Sequence, residues 1–107
     1  MNVRAEISDE QIVSRRPALF RPPMATDPSA TIVTTLAAVA SARLGAAPPI
    51  IGAPFWMDAA LLTDAGIPTA VFGAHGDGAH ADVEWVDLDS VQCCTDVLIA
   101  TARAFCS

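Results

Sequence analysis

The chain is 107 residues long and 52% hydrophobic, with six arginines, no lysine and twelve acidic residues, for a formal net charge of −6. At that length it is one domain at most, or a piece of one, and a globular chain of this size buries roughly 60–70% of the surface its unfolded form exposes. The hydrophobic content excludes simple disorder, and the acidic balance excludes a surface for nucleic acid or an anionic membrane, which needs clustered positive charge.

Residues 2–7 alternate, with Val3, Ala5 and Ile7 on one face and Arg4 and Glu6 on the other, which predicts a half-buried strand. From residue 8 to 27 the pattern dissolves. Pro17, Pro22 and Pro23 mark an extended connector, and Arg15, Arg16 and Arg21 sit among these prolines. No apolar signal core follows Met1, and the most apolar stretch, 30–42, is too short and too often interrupted by Thr and Ser to span a bilayer. A soluble cytoplasmic protein is the expectation.

Asp27-Pro28 predicts a helix start, with Asp as cap and Pro in the first position, where a missing N–H costs nothing. Ile32, Leu36, Val39, Ala40 and Leu44 recur at helical steps, and Gly45 supplies the stop. Pro49-Ile50-Ile51 is a short apolar run. Asp58 then caps a second helix over 59–65, ended by Gly66. The run Thr69-Ala70-Val71-Phe72 is apolar on both faces, as a buried parallel strand would be, so strand, helix and strand predict a compact βαβ unit. Asp89 opens the last helix, with Gln92 completing a capping box. Val91, Cys94, Leu98, Ala102 and Phe105 form the stripe expected to pack on the sheet. Cys93, Cys94 and Cys106 fit no two-pair disulfide framework and read as small apolar residues, buried or half-buried.

Ligands of open α/β sheets gather beyond the carboxyl ends of the strands. That place is Gly73-Ala74-His75-Gly76-Asp77-Gly78-Ala79-His80, which holds both histidines of the chain. Its glycines let backbone pass close to a metal or substrate, and neutral imidazole suits zinc, with Asp82 and Glu84 near enough in sequence to orient it. Spacing alone favours ordinary surface residues over ligands.

Three segments taken together change that reading. Pro54-Phe55-Trp56-Met57-Asp58-Ala59-Ala60-Leu61-Leu62, Ala65-Gly66-Ile67-Pro68-Thr69-Ala70-Val71-Phe72-Gly73 and Ala79-His80-Ala81-Asp82-Val83-Glu84-Trp85-Val86 resemble, in order and distance, the C-terminal stretch of one family. It is the zinc peptidase and deacylase family of acetylornithine deacetylase, succinyl-diaminopimelate desuccinylase and glutamate carboxypeptidase. The resemblance implies the C-terminal part of a three-layer αβα zinc-exopeptidase-like catalytic domain, an α/β fold keeping a βαβ unit and a C-terminal helix. On it, residues 1–8 end the lid or dimerisation domain, 9–27 form the connector, and 28–107 belong to the catalytic domain.

The same resemblance implies that His80 is the last metal ligand of a two-zinc site and that Glu84 supports it from behind. It implies that Gly76 lies where backbone groups approach the substrate carboxylate. Asp58 matches the family's acidic helix start and reads equally well as an N-cap. Met57, Ala74-His75 and Val83 depart from the family pattern, and His75 has no family counterpart, so it reads as a solvent-facing loop residue.

A catalytic zinc takes about three protein ligands and an open position, and a two-metal site takes more. The family supplies the remainder from upstream segments that nothing in residues 1–27 resembles. The expectation is therefore a partial zinc amidohydrolase, inactive alone, whose complete form cleaves a small acylated amino acid or peptide. Such a chain would pair with a missing N-terminal part of the domain or with itself. The alternatives are a non-catalytic interaction module that retains the fold, and an unrelated small α/β binding protein.

Overall fold

The computed structural model describes residues 19–107. The expected strand over 2–7, the domain boundary at residue 8 and the first half of the connector lie outside the described residues. Residues 19–27 carry no regular structure, in keeping with their prolines.

Helix α1 spans Thr31–Leu44 and starts later than Asp27-Pro28 predicts. Asp27 instead organises the turn before the helix. Its Oδ1 accepts from the backbone N–H and the hydroxyl of Ser29, both at 2.8 Å, and its carbonyl accepts from Ala30 N at 2.9 Å. The backbone bond first, then the hydroxyl, hold the Asp27 carboxyl below its ordinary range. The helix stops as predicted, with Gly45 at φ 80°, a left-handed position that only glycine takes without strain.

Helix α2 spans Ala59–Asp64, with Asp58 at its N-cap position but making no side-chain cap bond. Gly66, at φ 83°, follows it. The βαβ expectation survives in this helix and not in its strands. Residues 49–52 and 69–72 keep no ladder with each other or with any other described segment. The reason is physical: a strand exists only through its partner's hydrogen bonds, whereas a helix satisfies its own.

The ladder that does form is a small antiparallel hairpin. Strand β1, Gly76–Asp77, pairs with β2, Trp85–Val86, in the register Gly76 opposite Val86 and Asp77 opposite Trp85. Helix α3, Leu88–Phe105, follows at once. Its cap is Asp87, two residues before the expected Asp89. The Asp87 carboxylate accepts from Asp89 N at 3.0 Å, and Gln92 turns outward to Asp96 at 3.0 Å instead of closing a capping box.

The principal packing is α1 against α3. Ala40 and Val97 are fully covered, Ala60 is nearly so, and these are the buried hydrophobic residues among those described. The stripe expected to pack on a sheet is rotated off the contact: Leu98 is 47% and Phe105 46% exposed, while Val97 and Thr101 face inward. Cys93 and Cys94 are half-buried and Cys106 is exposed. Arg43 and Asp96 meet at 3.3 Å across the helix pair, a half-exposed ion pair of the kind that contributes about 0–1 kcal/mol. Thr101 is buried with its Oγ1 unpartnered among the described residues.

These placements give two expectations for chemical unfolding. Val97→Ala lowers stability by about 2 kcal/mol, whereas Leu98→Ala, which removes more carbon from a half-exposed position, costs about 1 kcal/mol or less. Thr101→Val, which removes an unpaired hydroxyl at constant shape, raises stability by about 1 kcal/mol.

Candidate metal-ligand hairpin

The hairpin begins where the chain leaves residues 69–72. His75 is bound through its backbone to the start of α3: its N–H donates to Ser90 Oγ at 2.9 Å, and its carbonyl accepts from Asp87 N at 2.8 Å. Ser90 Oγ in turn donates to Asp87 O at 2.7 Å. The His75 ring stands edge-on to Trp85, with centroids 5.4 Å apart and planes at 79°, an arrangement that aromatic quadrupoles favour. His75, expected as a free loop residue, is therefore exposed yet engaged at the hairpin's base.

Two glycines make the close approach of the strands possible. A Cβ on Gly76 would collide with the carbonyl oxygen of Trp85, and one on Gly78 with the carbonyl oxygen of Val83. Gly78 also sits at φ 76°. Gly76, expected beside a substrate carboxylate, is thus first of all the residue that lets β1 and β2 meet.

Residues 78–84 form the loop between the strands. Gly78 N donates to Asp77 Oδ1 and Ala81 N to Gly78 O, each at 2.8 Å, closing a turn around His80. His80 has φ 65°, the one non-glycine residue at positive φ among those described. A side chain in that region costs of order 1–3 kcal/mol unless the surroundings fix it, and such positions concentrate at functional sites. His80, Asp82 and Glu84 are all exposed, and no hydrogen bond joins either carboxylate to the imidazole. Glu84 directly precedes β2.

Among the described residues no group of three or more His, Cys, Asp or Glu side chains lies close enough to hold a metal ion. A catalytic zinc takes about three. The residues present do not by themselves fit a complete metal group. His80 is exposed in the loop, and His75 is turned to Trp85 instead of toward it.

A family model described as peptidase family M20/M25/M40 matches residues 11–104. The chain belongs to this peptidase family. Membership of the M20 group brings a hydrolase of peptidase type, in a family whose members are in general metal-dependent. No curated protein and no solved structure matches the chain. Within this M20 chain, sequence reasoning passed over Trp85, Ser90 and Asp87 as parts of the site. The one available signal was Asp87 standing two residues before Asp89, a competing N-cap.

The strain at His80 gives a direct test. His80→Gly removes the imidazole yet raises the unfolding free energy by about 0.5–1 kcal/mol, since glycine takes φ 65° freely. An equal or larger loss of stability would mean that the imidazole itself holds the loop.

Proposed function

We propose that this chain is the C-terminal part of a zinc-dependent amidohydrolase of the acetylornithine deacetylase, succinyl-diaminopimelate desuccinylase and glutamate carboxypeptidase type, inactive until the rest of the catalytic domain is present. The observation that carries this reading is the family match over residues 11–104, beside a hairpin that holds His80 at a left-handed position. In this reading His80 holds one ion of a two-zinc centre and Glu84 lies behind it. The backbone of Gly76 faces the carboxylate of a small acylated amino acid or peptide. Bound zinc would polarise the scissile carbonyl and activate water.

What the chain's own residues contribute is placement. The bonds of His75 to Asp87 and Ser90 fix the hairpin base, and the two glycines bring the strands together. The domain division at residues 8 and 27, a cytoplasmic setting and pairing with an N-terminal complement belong to the same proposal. The exposed apolar surface supports the complement in particular, since Ile50, Ile51, Phe55 and Val71 are all more than half exposed.

The alternative is an interaction module that keeps the fold without the chemistry, and one pair of measurements separates the two. Calorimetry of the chain alone should show weak zinc binding or none. With an upstream complement carrying the other ligands, chelator-sensitive amide hydrolysis should appear and fall by more than about 100-fold in His80→Ala, since even outer-shell changes cost 10–100-fold. Tight zinc binding by the chain alone that vanishes in His80→Ala would refute the incomplete site. A complemented enzyme indifferent to His80→Ala would leave the interaction module.

A further inference from the structure

Asp77-Gly78 is the sole aspartyl–glycine pair of the sequence. In such a pair the glycine nitrogen can attack the preceding side chain, because no Cβ shields it and the backbone turns freely. The structure holds the two reacting groups together. Asp77 is exposed at the end of β1, and Gly78 lies just past the last paired residues. The Gly78 N–H points at Asp77 Oδ1, 2.8 Å away, and not into the ladder. Nitrogen and carboxyl carbon therefore lie on the same side of the chain.

Other aspartates are placed differently. Asp27 precedes Pro28, whose nitrogen carries no hydrogen, and its carboxylate is taken up by Ser29. Asp82 precedes Val83, whose branched Cβ crowds the nitrogen. Asp64 and Asp96 lie inside helices, and the Asp87 carboxylate is turned to Asp89 N. Nor can the hairpin exchange Gly78 for a bulkier residue. Gly78 sits at φ 76°, and a Cβ there would collide with the Val83 carbonyl oxygen. The turn that positions His80 thus requires the glycine that makes Asp77 reactive.

We infer that Asp77 is a site of self-modification, at which the Gly78 nitrogen closes a ring on the Asp77 side chain and the ring reopens as an isoaspartyl link. In the first step the N–Cγ bond forms and the Cγ–OH bond of the neutral acid breaks. The amide proton and that hydroxyl leave as water. In the second step water adds to the former main-chain carbonyl of Asp77, its C–N bond breaks, and a proton returns to nitrogen. The chain then runs through Cβ and Cγ, and the former main-chain carbon becomes a free carboxylate. Water is the only co-reactant, and the net mass is unchanged.

The new link adds one carbon to the main chain of β1. Asp77 then no longer stands opposite Trp85 in the present register, and the Gly78 N–H to Oδ1 bond is lost. The hairpin base is held separately, by the bonds of His75 to Asp87 and Ser90. Modification therefore releases the loop over residues 78–84 and leaves the base in place. Only its consequence for metal binding rests on the proposed function.

The test ages the full chain for days in neutral buffer. Isoaspartate is counted with an isoaspartate-specific carboxyl methyltransferase and labelled S-adenosylmethionine, and located by electron-transfer mass spectrometry. Most of the label should map to Asp77, preceded by a species lighter by one water. Amide signals of Trp85 should shift in the aged fraction, while those of Asp87 and Ser90 stay. Asp77→Glu should abolish the label at this position, since its ring would be larger and slower to form. Asp77→Asn should reach the same link faster, with ammonia leaving in place of water. Isoaspartate absent from Asp77, spread evenly over the aspartates or persisting in Asp77→Glu would overturn the inference, as would an isoaspartyl chain with unmoved Trp85 signals. None of these readouts involves zinc or hydrolysis, so failure here is distinct from failure of the metal reading.

Discussion

Asp87 stands where a strand must become a helix, and the geometry of the candidate site depends on how that junction is satisfied. The first amides of α3 have no partner within the helix, and the hairpin that precedes it is too short to hold itself. Three residues meet both needs. The Asp87 side chain takes Asp89 N, the Asp87 N–H goes to His75 O, and Ser90 Oγ links His75 N to Asp87 O. The hairpin is fastened to a helix which is itself held against α1 through Ala40 and Val97. His80 reaches its position through this chain of contacts and, among the described residues, through no hydrogen bond of its own.

A second constraint is the shortage of buried apolar surface. Burial yields roughly 25 cal/mol per Å² of apolar area, and a chain this rich in Ile, Leu, Val, Phe and Trp would gain from covering those side chains. Yet Ile50, Ile51, Val71 and Phe55 stay open to solvent, at positions whose backbone makes no bonds to other described residues. Apolar exposure thus coincides with backbone that makes no ladder among the described residues. Among the described residues no group of three or more His, Cys, Asp or Glu side chains lies close enough to hold a metal ion.

Which parts were legible in the sequence follows from which parts are locally determined. Both inner helices could be read because their stops are written locally, in Gly45 for α1 and Gly66 for α2, whereas Asp27 only shapes the turn ahead of α1 and Asp58 makes no cap bond. The start of α3 was misread because two aspartates compete there, and the preceding strand gives the cap to Asp87. The inward stripe was misread for a tertiary reason. Val91, Leu98 and Phe105 are the larger apolar residues, but α1 meets the neighbouring face, where small Cys, Val and Thr side chains allow a close helix pair. The hairpin had no periodic signal, since Gly76-Asp77 has little strand preference and forms β1 only because Gly76 and Gly78 admit the opposite strand. His80 was singled out by resemblance, and its strained backbone is visible only in three dimensions.

The two halves of the molecule are linked through a short length of chain. Phe72, whose carbonyl faces the Cys94 thiol on α3, is three residues from His75, whose backbone is bonded to Asp87 and Ser90. Three residues span at most about 10–11 Å, and both ends of this stretch are tied to one helix. The chain immediately ahead of the hairpin base is therefore held at both ends by the helix, with Gly73 and Ala74 between the two ties, so the base of the His80 loop follows α3.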